Sequence, residues 1–198
     1  MLILSVGIIA VSGCSSETDT PRQSADNETN SRSRSGTETI SENYLRSAAL
    51  EGQYQEVEKA VKQGVNINDP DNRGRTALML AAYNGHTDIV RLLLEEGAEV
   101  DSKNSEGRTA LIFAASGPYP ETVEALLEWK ADPNTTDNVE GWSALMFAAA
   151  GGHQQVVETL IEHGADVSLQ DKDGDKAISF ARENNFSTIV SLLEDAEK

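Results

Sequence analysis

The stretch Asp71 to Asp101, DNRGRTALMLAAYNGHTDIVRLLLEEGAEVD, recurs with variations along the chain and leaves it few ways to fold. Within it Thr76 precedes an Ala-rich run (Ala77, Leu78, Leu80, Ala81, Ala82), and after Gly85 a second run carries Ile89, Val90, Leu92, Leu93 and Leu94 before Gly97. The pattern predicts a helix-turn-helix. Thr76 is placed to cap the first helix, its hydroxyl accepting a bond from an otherwise orphan backbone N–H, and Gly97 to end the second at positive φ. Neither helix exceeds about ten residues, a length that is not stable alone in water. Both carry apolar residues on more than one side, so each needs neighbours on two sides, and copies of the unit supply them. Gly74, Gly107, Gly141 and Gly174 are spaced 33, 34 and 33 residues apart, and Val57, Val90, Val123, Val157 and Val190 keep the same step. A period of about 33 residues marks a solenoid, in which each unit buries its apolar faces against the units beside it.

The copies also carry a specific frame. GRTALMLAAYNGHTDIVRLLLEEGAEV, GRTALIFAASGPYPETVEALLEWKADP, GWSALMFAAAGGHQQVVETLIEHGADV and GDKAISFARENNFSTIVSLLEDAEK resemble the ankyrin repeat, with its Gly-x-Thr-Pro-Leu-His-x-Ala-Ala opening. The likeness covers about Ser41 to Lys198. It implies an all-α fold, an ankyrin-repeat solenoid of stacked helix-turn-helix units with β-hairpin loops. The frame's Pro is Ala77, Ala110, Ala144 and Ala177 here, and its His is Met79, Ile112, Met146 and Ser179. Those changes give up the His-mediated bonds at the helix start and keep the helical phase and the caps.

Residues 71–103, 104–136 and 137–170 read as full repeats between an N-terminal cap, 40–70, and a C-terminal cap, 171–198. In the first cap Glu42, Asn43, Arg46, Glu56 and Lys59 are assigned to the polar outer face that shields a stack end. In the last, Asn185 replaces Gly85 and Arg182 replaces the second Ala of the frame. The middle of the array departs most. Ser116-Gly117-Pro118-Tyr119-Pro120 stands in for Tyr83-Asn84-Gly85-His86-Thr87, Lys130 takes the Gly position at a helix end, and the extra residue of the 34-step falls within Thr135 to Glu140. One finger is therefore expected to be longer than the others.

Residues 1–13, with Cys14 after them, read MLILSVGIIAVSGC, an apolar run too short to span a bilayer and suited to a signal peptide. Val11-Ser12-Gly13-Cys14 resembles the lipobox of bacterial lipoproteins, which implies cleavage before Cys14 and acylation of its thiol and new amino group. Cys14 is the only cysteine, so no internal disulfide is available. No Lys or Arg precedes the apolar run, a departure from the signal pattern. Ser15 and Ser16 follow the Cys, which resembles sorting to the outer membrane in two-membrane bacteria. Residues 14–39 continue as a polar, core-free tether with an expected end-to-end distance of roughly 25–30 Å. The resulting address is the bacterial envelope, lipid-anchored at the outer membrane and facing the periplasm, with the outer face of the cytoplasmic membrane as the alternative.

Three scattered histidines (His86, His153, His163) and a single cysteine form neither a nucleophile constellation nor a metal-ligand spacing. The ankyrin resemblance implies that His86 and His153 sit where second helices open, and His163 is a lone residue at a helix end. Asp171-Lys172-Asp173-Gly174-Asp175 has the look of a calcium loop without its terminal Glu, and the repeat frame already accounts for it. No catalytic residue, metal or cofactor is expected. The formal net charge is −17, and residues 41–198 carry 28 acidic against 13 basic side chains. Such a surface disfavours nucleic acid and anionic membrane as partners and is compatible with a basic protein.

The ankyrin resemblance implies protein binding through finger tips and the exposed edges of the first helices, a concave face. Carried over position by position, that face holds Arg73, Arg75, Tyr83 and Asn84, then Arg108, then Val139, Glu140 and Trp142, then Asp175. Arg75, Arg108, Trp142 and Asp175 occupy equivalent places and are predicted to form a row, and Arg and Trp are enriched in binding hot spots. Packing of the Trp142 indole on Tyr119 or Phe113 is the structural alternative, and Trp129 on a second helix is expected to pack. The sequence thus predicts a monomeric, non-catalytic, lipid-anchored module that binds a protein. Alternative roles are an immunity protein against a toxin or secreted lipase, and a support factor for an envelope or antioxidant enzyme.

Overall fold

The computed structural model describes residues 41–198. The predicted signal peptide, Cys14 and the tether lie outside the described residues. Among the described residues ten helices follow in pairs: α1 (Glu42–Leu50) and α2 (Tyr54–Lys62), α3 (Ala77–Tyr83) and α4 (Thr87–Glu95), α5 (Ala110–Ala115) and α6 (Pro120–Glu128), α7 (Ala144–Gly151) and α8 (Gln154–Glu162), α9 (Ala177–Glu183) and α10 (Ser187–Ala196). The odd-numbered helices pack in one row and the even-numbered in a second, each helix touching its pair mate and the equivalent helices of adjacent units. That is the all-helical stack the period of 33 demanded. Val57, Val90, Val123 and Val157 are fully buried between neighbours, whereas Val190 in the fifth unit is only partly so.

Caps set where the inner helices start. The hydroxyls of Thr76, Thr109 and Ser143 accept the N–H of Met79, Ile112 and Met146, as the sequence predicted for Thr76. Gly97 ends α4 at φ +92°, and Lys130 adopts φ +68° at the corresponding end of α6. A left-handed conformation costs a residue with a Cβ about 1–2 kcal/mol.

The loops between units, here called fingers, differ from the expected β-hairpins. Among the described residues the only bridge pairs Thr136 with Ser143, in the finger that carries the extra residue. Each finger is instead a turn tied to the residue that opens it. Asp71 donates its N–H to the Arg75 carbonyl at 2.9 Å while its Oδ1 accepts the N–H groups of Arg73 and Arg75, both at 2.8 Å. Asn104 and Asp171 do the same in their fingers, and Asp137 in the longer one reaches Trp142. A single side-chain oxygen thus satisfies backbone donors that a ladder would otherwise pair. The fingers are then laced to one another, with the N–H of Ser105, Asn138 and Lys172 donating to the carbonyls of Arg73, Glu106 and Glu140.

Arg46 is placed differently from the sequence expectation. Assigned to the polar outer face, it is only 8% exposed, and its guanidinium donates to the Asp69 carbonyl at 2.7 Å, to the Asp69 carboxylate at 2.8 Å and to the Asn43 side chain. Position 46 is one step before Met79, so the first unit fills with a hydrogen-bonded cation the slot that later units fill with Met79, Ile112 and Met146. Arg46→Ala is expected to cost about 2 kcal/mol, because the part-buried Asp69 carbonyl and the Asn43 side chain lose their donor, while the half-exposed ion pair adds little. Arg46→Met, which restores the packing of the later units, is expected to recover at least half of that loss in urea unfolding.

Candidate partner-binding face

From the second pair on, the turn between paired helices carries a ring set on the preceding unit. His86, Tyr119, His153 and Phe186 occupy the N-cap positions of α4, α6, α8 and α10. The His86 ring lies over Gly52, the Tyr119 ring over Gly85 and the Phe186 ring over Gly152, so close that a Cβ at any of these glycines would overlap it. His86 Nε2 lies 3.2 Å from the Leu50 carbonyl and His153 Nε2 3.2 Å from that of Ser116. A carbonyl only accepts, so each ring carries its proton on Nε2 and donates. Both histidines open second helices as predicted, and the Nε2 of each joins its unit to the one before. His163 ends α8 and points its Nδ1 at the Thr159 carbonyl. Among the described residues no group of His, Cys, Asp or Glu is arranged to hold a metal.

On the finger side the predicted row is largely spent on internal bonds. Arg75 pairs with Asp71 of its own finger, with Nη2 2.7 Å from the carboxylate. Arg108 pairs instead with Asp137 of the next finger at 3.1 Å and with Glu106 at 3.2 Å, and lies 5.1 Å above the Phe147 ring. The opening residue explains the difference: the finger after Arg75 begins with uncharged Asn104, the one after Arg108 with Asp137. Trp142 repeats the forward link by donating its indole N–H to Asp171 at 3.1 Å. Its ring packs on Phe147 and Phe180, with centroids 5.0 and 4.4 Å away, rather than on Tyr119 or Phe113. Asp175, the last of the row, uses its backbone N–H to close the turn on Asp171.

Asp137 is the most enclosed of these groups. Its Oδ1 accepts the N–H of Glu140, Gly141 and Trp142 at 3.0, 2.9 and 3.2 Å, and Oδ2 accepts from Arg108. Burial pushes its pKa up, but the three backbone donors and the guanidinium outweigh that and hold it below the ordinary carboxylate range. Asp71 is lowered in the same way, against its own burial, by the N–H groups of Arg75 and Arg73 and the Arg75 guanidinium.

Other parts of the face remain open. Tyr83 is 51% exposed at the end of α3, its ring edge-on to Phe113 at 6.0 Å. Asn84 is partly buried and donates to the Leu50 carbonyl at 2.7 Å, which makes it a link between units. Arg73 and Glu140 are exposed at finger tips, and Val139, 44% exposed, caps the longest finger. Phe113, Phe147 and Phe180, one step apart on α5, α7 and α9 and all half-buried, join Tyr83 and Trp142 in an aromatic seam along the inner helices. Sequence reading named Phe113 only as a possible packing partner of Trp142 and passed over the other two, because inside the frame all three hold the place of the buried Leu80. Their size was the available signal: Phe is too large to vanish in a slot that Leu fills. Trp129 is 44% exposed at the end of α6, contrary to the packing expected for it.

Stacked helix pairs, laced fingers and a seam of aromatic rings along one edge define a repeat platform suited to holding another macromolecule. The family profile of ankyrin repeats in three copies matches residues 45–137 and 130–198, and the chain belongs to the ankyrin-repeat family. Ankyrin repeats are typically non-catalytic protein-protein interaction modules. No curated protein matches the sequence.

Proposed function

We propose that the chain is a non-catalytic, lipid-anchored protein of the bacterial envelope that binds a protein partner through its finger-side face. The observation that carries the binding role is the aromatic seam of Tyr83, Phe113, Phe147, Trp142 and Phe180, flanked by exposed Arg73, Val139 and Glu140. Rings fixed by their neighbours give contact area at little entropic cost on association. Support for the anchor is Val11-Ser12-Gly13-Cys14 at the end of a short apolar run. Two acyl chains or more hold a protein at a bilayer where one alone binds marginally.

Photocrosslinking in intact envelopes tests the binding face. Trp142 is unsuited as a probe site because its indole is built into the packing, so the photoreactive residue belongs at Val139, with a control at Glu162 on α8. The expected result is one dominant crosslinked protein from Val139 and none from Glu162. Diffuse labelling of equal strength at both sites would remove the finger face from consideration. The anchor has its own test: radiolabelled palmitate should enter the wild-type chain and not the Cys14→Ser variant, and label persisting in that variant refutes acylation at Cys14.

A further inference from the structure

The two halves of the finger face differ in how their charges are used. In the first two fingers, residues 71–75 and 104–108, Arg75 and Arg108 are neutralised by Asp71, Glu106 and Asp137. In the next two, residues 137–142 and 171–175, the carboxylates of Glu140, Asp173 and Asp175, with Glu183 behind them on α9, make no ion pair among the described residues. Lys172, the one cation on these two fingers, makes no ion pair with them either, its ammonium donating to the carbonyls of Asn138 and Val139 at 2.7 and 2.5 Å, so the carboxylates still outnumber it.

That lysine also has a structural effect. With the Asn138 N–H held by Glu106 and the Lys172 N–H by Glu140, the longest finger is fixed from both neighbours, and its tip presents the Val139 side chain to solvent. An exposed apolar side chain on an immobilised tip is a preorganised anchor point. The same finger carries Trp142, whose ring packs on Phe180, and the unpaired carboxylates lie on this finger and the next.

We infer that the third and fourth fingers take a cationic segment of a protein, one with an apolar side chain between flanking lysines or arginines. The apolar residue meets Val139 and the rings, and the flanking cations meet Glu140, Asp173 and Asp175. This rests on the finger face being the binding face, and it assigns that face a partner chemistry. An acidic partner would face uncompensated like charge at the same place, a juxtaposition that strongly disfavours wrong partners.

The test uses the full chain and three labelled synthetic peptides read by fluorescence anisotropy. The first carries one leucine between two Lys-Lys pairs, the second has serine for the leucine, and the third has glutamate for every lysine. The first should bind best and weaken as salt rises, the second should bind several-fold less tightly, and the third should not bind. Because the whole protein is acidic, two triple variants with the same charge change are compared. Glu140→Gln, Asp173→Asn and Asp175→Asn together should lower affinity for the first peptide about ten-fold, while Glu121→Gln, Glu124→Gln and Glu158→Gln on the outer helices should change it less than about two-fold. Equal losses in the two triples, or equal binding of the leucine and serine peptides, overturn the inference. If Val139 still captures one dominant partner in the envelope, the finger-face function survives that result. Diffuse labelling at Val139 removes both.

Discussion

Asp137→Ala is expected to cost about 3 kcal/mol of folding stability, the largest effect of any single side-chain removal on the finger side. The carboxylate is 1% exposed and is the sole acceptor drawing together the N–H groups of Glu140, Gly141 and Trp142. Alanine orphans those three donors and leaves the Arg108 guanidinium with only the half-exposed Glu106 as ionic partner. Water can enter beside the finger and limits the loss, which places it at the lower end of what breaking an enclosed charge pair costs. Asp137→Asn separates the two contributions. Asn104 already holds the equivalent turn with an amide oxygen that accepts from Glu106 and Arg108. Asparagine at 137 should therefore keep the turn and forfeit mainly the ionic bond, with about 1 kcal/mol lost.

The pH dependence follows from the same geometry. Asp137 has its pKa lowered in the folded chain, so the folded state resists protonation more than the unfolded state does. Its stabilising contribution is present in full above the unfolded carboxylate value, about 3.9, and is lost as pH falls through the lower folded value. Asp71 acts with the same sign. Urea unfolding of wild type and Asp137→Asn should show a gap at pH 7 that narrows as pH falls below about 4. A gap that stays constant in acid would mean the aspartate is held by its shape and not by its charge.

Much of this molecule could be read in advance, for a physical reason: in a solenoid the same local problem is solved at every step. The Thr76 cap, the positive φ at Gly97 and Lys130, and the long finger at Thr135 to Glu140 all depend on a few adjacent residues. What the sequence concealed are bonds between units. Arg75 and Arg108 hold identical places in their repeats, yet one turns back to Asp71 and the other forward to Asp137, because the deciding residue, Asn104 or Asp137, is a unit away. Arg46 looked like surface because nothing nearby marks its carbonyl acceptor at Asp69, 23 residues on. Of the predicted binding residues, Arg73, Tyr83, Val139 and Glu140 keep open surface, while Asn84, Arg75, Arg108 and Trp142 are engaged in joining or closing units. The row marks how the platform is braced as much as what it offers.

Gly85→Ala and Gly97→Ala are chemically the same substitution and are expected to differ about three-fold in cost. Both sites have positive φ, +69° and +92°, so each variant incurs the left-handed penalty of about 1 kcal/mol. At Gly97 nothing lies within 4 Å of the added methyl, and the cost stops there. Lys130, at the equivalent end of α6, shows that a side chain is accommodated. At Gly85 the methyl would overlap the Tyr119 ring of the next unit, which is fixed at the start of α6 between Gly117 and Pro120 and has little freedom to withdraw. The total should reach about 3 kcal/mol, with the excess charged to the interface between units. Tyr119→Ala decides whether that attribution is right. In the double variant the overlap is gone, so Gly85→Ala should cost only about 1 kcal/mol on the Tyr119→Ala background, a coupling of about 2 kcal/mol in a double-mutant cycle. Additive losses would mean that the backbone alone sets the requirement for glycine at 85, and that the Tyr119 ring plays no part in it.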